Sequence, residues 1–220
     1  MFPQKTAVIY AMIEIMDEGI GELVEELGRL QIRENTVILF ASDNGPDPLP
    51  GERFNANLKG TKYMVNEGGI RVPFVVNWPA QYQSRKEKAV VHFTDVFPTL
   101  VDICELNVPF RQKADGKSFA GLLRGENSEL PETRMWQWNR GVPVYSYNAA
   151  IRKGDWKLVR PFVSHWEILL EDSELDPVLY NLKEDPYEKQ DVAEQNQAIY
   201  KELRVKLEQW CREVEFDRLK

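Results

Sequence analysis

Thr36-Val37-Ile38-Leu39-Phe40-Ala41 runs directly into Ser42-Asp43-Asn44-Gly45. An unbroken apolar run closed by a turn signal reads as a buried parallel strand of an open α/β sheet. Ligands of such sheets gather at the carboxyl ends of the strands, which is where Asp43 and Asn44 stand. A carboxylate beside a carboxamide offers hard oxygen donors, suited to Ca²⁺ or Mg²⁺ and poorly suited to zinc or copper. Asp-Asn-Gly is also an ordinary turn sequence, because Asn and Gly tolerate left-handed backbone. The segment that follows, residues 62–73 (KYMVNEGGIRVP), tips the balance toward a site. Its Lys62 adds a cation, so that the order of residues suits an anionic ester held between a divalent metal and an ammonium.

Around this stretch the pattern is that of a layered α/β protein. Residues 7–30 place Ile9, Ile13, Met16, Ile20, Leu23 and Leu27 on one helical face, opposite Glu14, Glu18, Glu22 and Glu25. This is the periodicity of an amphipathic helix covering a sheet. Residues 46–57 are too rich in proline to continue either element and read as a surface loop. Val72-Pro73-Phe74-Val75-Val76-Asn77-Trp78 is a second apolar strand, and Asp95 is placed to cap a helix over residues 96–104. Residues 107–132 form a long charged connection. From about Thr133 short strands and turns take over: Met135-Trp136-Gln137-Trp138, residues 148–152, a Lys153-Gly154-Asp155 turn and residues 156–159. A last helix, residues 193–214, carries Ile199, Leu203, Leu207 and Trp210 on one face. Trp136 and Trp138 alternate with Gln137, so that they share a face, either buried or open as a platform for a sugar ring.

The resemblance is to the sulfatases of the alkaline phosphatase superfamily. It rests on Tyr10-Ala11-Met12-Ile13-Glu14, Met16-Asp17-Glu18-Gly19-Ile20-Gly21, Ser42-Asp43-Asn44-Gly45, Leu58-Lys59-Gly60-Thr61-Lys62 and Glu67-Gly68-Gly69-Ile70-Arg71-Val72-Pro73. It continues in Thr94-Asp95-Val96-Phe97-Pro98-Thr99-Leu100, Asp115-Gly116-Lys117-Ser118, Ala150-Ile151-Arg152-Lys153-Gly154-Asp155-Trp156-Lys157-Leu158-Val159 and Leu179-Tyr180-Asn181-Leu182. The order is the family's, and it covers nearly the whole chain. The resemblance implies an α/β, alkaline phosphatase-like fold: the C-terminal part of the main sheet with flanking helices in residues 1–132, and a small antiparallel α+β subdomain in residues 133–220. It also implies that Asp43 and Asn44 complete the shell of a Ca²⁺ or Mg²⁺ ion. Lys62 then acts as the catalytic cation, paired with a sulfate oxygen and with the charge developing on the leaving group.

Only the second half of such an enzyme matches. Sulfatases of this kind carry a Cys-x-Pro-Ser-Arg or Cys-x-Ala-Ser-Arg motif whose cysteine becomes formylglycine, the nucleophile. Here Cys104 is followed by Glu105-Leu106-Asn107 and Cys211 by Arg212-Glu213-Val214. Formylglycine is therefore expected only in an N-terminal half that these residues lack. The chain as given is expected to be inactive alone, poor in metal, and left with an apolar face that favours association with that half or with itself. The substrate class implied is a sulfate ester, sulfated carbohydrates included. A phosphonate or phosphate monoester hydrolase of the same superfamily, and a non-catalytic split or truncated product acting as a binding partner, stay open as alternatives.

Asn44 stands where two-zinc phosphatases place His, because imidazole suits zinc. The two histidines, His92 and His165, are too few for a His-rich two-metal site, and His92, just before a helix start, reads as structural. The formal charge is −7, without a cluster of Lys and Arg among aromatics, which argues against nucleic acid. Lys59 and Arg71 are candidates to concentrate positive charge beside Lys62. No apolar stretch approaches a membrane span. The family resemblance suggests a periplasmic, secreted or lysosomal setting for the full-length form.

Overall fold

The computed structural model describes residues 4–49, 54–108, 114–138, 148–160 and 176–218. The chain divides into two compact units, one made of Met1–Ile9, Ala41–Phe74 and Thr133–Lys220, the other of Tyr10–Phe40 and Val75–Glu132. His165 and the tip of the Pro-rich loop, residues 50–53, lie outside the described residues.

Helix α1, Gln4–Arg29, contains no proline and is dominated by good helix formers. It stops in a Schellman turn: Ile32 N donates to Leu27 O at 3.1 Å, Gln31 N donates to Gly28 O at 3.0 Å, and Gln31 takes the left-handed conformation at φ 59°. The chain then enters β1, Ile38–Ala41, which pairs with β2, Phe74–Asn77, in a two-stranded sheet. Arg33 donates to the Asn77 side chain, and Trp78 Nε1 donates to Glu34 O at 2.9 Å, pinning the turn after α1 to the end of β2. Two expectations change here. Among the residues of α1 only Thr6 is buried, and the apolar row is open, with Ile13 48% and Leu23 52% exposed. Strand β1 is half-buried throughout rather than fully buried. The physical reason is the same for both: among the described residues the sheet has two strands, too little surface to cover an apolar helix face or to enclose an apolar strand.

Helix α3, Val96–Ile103, follows a one-turn 3₁₀ segment, Phe93–Asp95, at which His92 and Asp95 form a capping box. Asp95 thus looks backward. Its buried carboxylate accepts from His92 N and from Lys117 N, each at 2.9 Å, and makes no cap bond to α3. Thr99 joins the same knot by donating to Asp95 O and accepting from Phe119 N. This agrees with the structural reading of His92. Among the described residues of the connection expected over 107–132 there is one short helix, α4, Ala120–Arg124, closed by Gly125 at φ 83°. The one-turn helix α2, Glu67–Ile70, belongs to the other unit and to the site.

That other unit is organised by an antiparallel sheet in the order β3-β4-β5-β6: Thr133–Gln137, Ala149–Lys153, Trp156–Val159 and Val178–Asn181. The β4 to β5 turn is closed by Gly154 at φ 57°, a conformation glycine adopts freely. Alternation along each strand builds two buried faces. Ala149, Ile151, Leu158 and Leu179 meet Leu203, Leu207 and Cys211 of α5, Gln197–Arg218, whose apolar residues recur every four positions. The opposite face carries Ala150, Val159, Tyr180 and Leu182 with Val65, and Trp136 and Trp138 pack against that cluster. Lys157 lies on this second face, between Trp156 and Leu158 that point to α5.

The two cysteines report on α5. Cys104 is exposed, whereas Cys211 is buried and burial pushes its thiol up to about 11. A thiol reagent at neutral pH is expected to label Cys104 quickly and Cys211 only when the protein unfolds, because the reactive species is the thiolate. Rapid labelling of both in the native protein, counted by mass spectrometry, would show that α5 is not seated on the sheet.

Candidate functional site

The site residues lie on a turn and a loop locked together through glycines. After β1, Ser42 N donates to Pro73 O at 3.2 Å, and Ser42 Oγ closes the turn by donating to Asn44 O at 2.9 Å. Gly45 N donates to Gly69 O at 2.8 Å, and Lys62 N donates to Pro46 O at 2.9 Å. Two backbone bonds therefore fasten the Asp43-Asn44 turn to the segment that carries Lys62. The approach is close: a Cβ on Gly45 would lie 1.8 Å from Gly68 O, and one on Gly69 would lie 2.0 Å from Met64 O. Gly60, at φ 86°, makes the bend that lets Gly68 N reach Lys59 O at 2.7 Å.

Asp43 is exposed, and its carboxylate makes no hydrogen bond or ion pair among the described residues. The half-buried Asn44 spends its amide Nδ2 on Gly45 O at 3.0 Å, an orientation that leaves Oδ1 for another partner. Lys62 is half-buried, with Nζ 5.5 Å from the centre of the Tyr63 ring and no ion-pair partner among the described residues. As a donor set, Asp43 and Asn44 fit a hard divalent cation in kind. They fall short in number, because Ca²⁺ takes about six to eight oxygens, and no cluster of three or more His, Cys, Asp or Glu able to hold a metal occurs among the described residues.

Beneath the loop lies an ionic network that the sequence did not disclose. Lys157 Nζ, fully buried on β5, stands 2.8 Å from Glu67 Oε1 and 3.0 Å from Glu188 Oε1. The second contact is an ion pair without hydrogen-bond alignment. Glu188 Oε2 accepts from Glu67 N at 2.7 Å, and Arg152 Nη1 approaches Glu67 Oε2 at 3.9 Å. Two carboxylates and the buried Lys157 thus offset one another, with the half-buried Arg152 at the edge, the pairing under which buried charge is tolerated. Lys59 does not join Lys62. Its ammonium donates to Tyr180 Oη at 2.8 Å and to Glu188 O at 3.2 Å. Burial lifts the Tyr180 phenol above its ordinary range and the Lys59 bond pulls it back, so the hydroxyl receives the ammonium as a neutral acceptor. Glu188 itself is held at φ 54°, strained for a residue with a side chain. The signal for this network was strand alternation, which puts Lys157 on a buried face. Its partners, 67 and 188, are distant in sequence and carry no pattern of their own.

Comparison with known proteins places the chain in a family. Residues 3–106 match the family model described as Sulfatase, and residues 60–214 match that of N-sulphoglucosamine sulphohydrolase, C-terminal. The chain is 31% identical over 208 residues to an N-acetylgalactosamine-6-O-sulfatase of Bacteroides thetaiotaomicron, covering 88% of this chain and 40% of that protein. It is 28% identical to arylsulfatase J of Mus musculus, covering 91% of this chain and 39% of that one. The solved structure of Ps i-CgsB in complex with k-i-k-neocarrahexaose superimposes with a TM-score of 0.76 at 27% identity, covering 96% of this chain and 44% of the other. The chain therefore spans about two fifths of the length of these relatives. The fold is the alkaline phosphatase-like α/β fold of that structure, and with the two models together matching residues 3–214 the chain belongs to the sulfatase family.

Proposed function

We propose that this chain supplies part of the metal and sulfate-binding site of a sulfuric ester hydrolase that acts on sulfated carbohydrates, and that the nucleophile comes from residues outside these 220. The observation that carries the reading is the pair of backbone bonds, Gly45 to Gly69 and Lys62 to Pro46, which ties the Asp43-Asn44 turn to the Lys62 segment in a member of the sulfatase family. Residues 1–132 are then the C-terminal half of the catalytic α/β domain and residues 133–220 its subdomain. The relatives named above are sulfatases, which favours sulfate over a phosphonate or phosphate monoester, and one is named for a sulfated amino sugar.

Asp43 and Asn44 are the residues that would hold Ca²⁺, or Mg²⁺, with further donors supplied from elsewhere. When bound, such an ion withdraws charge from the sulfate oxygens. Lys62 binds a sulfate oxygen through its ammonium and stabilises the negative charge that grows on the leaving oxygen. Its half-buried position strengthens that interaction relative to open water. The open apolar row of α1, including Ile13, Met16 and Leu23, supports packing against the N-terminal half or against a second copy.

The test is reconstitution. The chain alone is expected not to hydrolyse an aryl sulfate, and a mixture with a separately expressed N-terminal half carrying formylglycine is expected to do so. Lys62→Ala or Asp43→Ala in that mixture should lower kcat/KM by about a hundredfold or more, the usual scale for removing one charge-stabilising group. Turnover by the chain alone that is abolished by Lys62→Ala would overturn the assignment of the nucleophile. An active mixture indifferent to both substitutions would overturn the site.

A further inference from the structure

Tyr63 and Trp138 come from segments far apart in sequence and meet beside Lys62. Their ring centres are 5.0 Å apart at an interplanar angle of 55°, and the Lys62 ammonium is 5.5 Å from the Tyr63 ring. Both aromatic residues are half-buried, each keeping part of its surface open. Tyr63 holds φ 80°, a left-handed conformation rare for a bulky residue, next to Lys62, whose amide is fixed on Pro46. Residues held in such conformations cluster at ligand-contacting positions. Trp138 continues the line of β3 through a bond from its amide to Asn148 O at 2.9 Å, and rests on the sheet face that also carries Lys157 and Tyr180. The face that anchors the Lys62 segment from below therefore also presents the indole beside it.

Resting on the function proposed above, we propose that Tyr63 and Trp138 form the platform on which the sugar ring of the substrate stacks while Lys62 holds its sulfate. A pyranose presents an apolar C–H face that an aromatic ring covers well, and its hydroxyl edge stays in water. An ammonium with no carboxylate partner among the described residues is available to the sulfate on the same ligand. The two distances are short enough for one monosaccharide sulfate to touch cation and rings together. Packing alone accounts for the seat of Trp138 on Val65 and its neighbours, but not for a strained tyrosine that turns its ring between an ammonium and an indole.

The experiment titrates the 220-residue chain with N-acetylgalactosamine 6-sulfate, with unsulfated N-acetylgalactosamine and with inorganic sulfate, reading affinities by ligand-observed NMR. The sugar sulfate is expected to bind about tenfold more tightly than inorganic sulfate, equivalent to about 1.4 kcal/mol. Trp138→Ala should erase that preference while leaving inorganic sulfate binding unchanged, which also certifies the fold. Trp138→Phe should keep most of the preference, and Lys62→Ala should weaken both sulfated ligands. A preference that survives Trp138→Ala and Tyr63→Ala would overturn the platform and leave the sulfate site standing. Absence of any Lys62-dependent binding of either sulfated ligand would overturn the platform together with the sulfate site.

Discussion

Lys157→Met is expected to cost the folded chain about 3–5 kcal/mol, the scale for removing one partner of a buried ion pair. The side chain is fully buried, and it lies within 3.0 Å of two carboxylates that water does not reach. Methionine is unbranched and one atom shorter, so most of the packing is preserved and the loss is mainly electrostatic. Arg152, at 3.9 Å from Glu67, can move to offset one carboxylate but not both. The companion variant Lys157→Met/Glu188→Gln should therefore be more stable than Lys157→Met alone, since one of the stranded charges has gone. That non-additivity, measured by urea denaturation of the two single variants and the double, is the mark of a coupled pair. A loss under about 1 kcal/mol, or strict additivity, would mean that the pair is effectively solvated. The consequence reaches the site, because Glu188 also holds Glu67 N and Lys59, the two ends of the loop around Lys62.

The sequence made the elements legible where period and punctuation agree. The run ending at Ala41, the Lys153-Gly154-Asp155 turn, and the row Leu203, Leu207 appear as β1, a hairpin and the buried side of α5. The turn over residues 42–45 was legible for the same local reason, since Asn and Gly are turn residues placed where the apolar run ends. Two kinds of fact were not. The short helix α4 spans too few residues to show a 3.6 period. The burial of Lys157 depends on Glu67, 90 positions away, as well as on Glu188, and the diversion of Lys59 to Tyr180 and Glu188 depends on partners more than 100 positions away. A lysine reads as polar and exposed until its carboxylates are located in space. The amphipathic pattern of α1 was read correctly as a helix, but pattern alone does not say whether the covering layer lies in the same residues.

Gly45→Ala is expected to be the most damaging conservative change in the site, because the obstacle is backbone. The new methyl would lie 1.8 Å from Gly68 O and 2.9 Å from Gly69 Cα, so no side-chain rotation relieves it. Either the Asp43-Asn44 turn withdraws or α2 does, and each choice breaks the bond from Gly45 N to Gly69 O. Overpacking against soft side chains typically costs about 1–3 kcal/mol, and a collision with main chain belongs at or beyond the upper end. Gly154→Ala is the matched control. Its φ of 57° carries the left-handed penalty, yet nothing lies within 4 Å of the added methyl, so a loss of only about 1 kcal/mol is expected. Gly19→Ala, in open space on α1, should instead stabilise by up to about 1 kcal/mol through helix propensity. Thermal unfolding of the three variants ranks them, and amide exchange of residue 45 locates the damage. If Gly45→Ala melts with Gly154→Ala and its amide stays protected, the turn and the loop are not in the close contact from which Asp43, Asn44 and Lys62 take their relation.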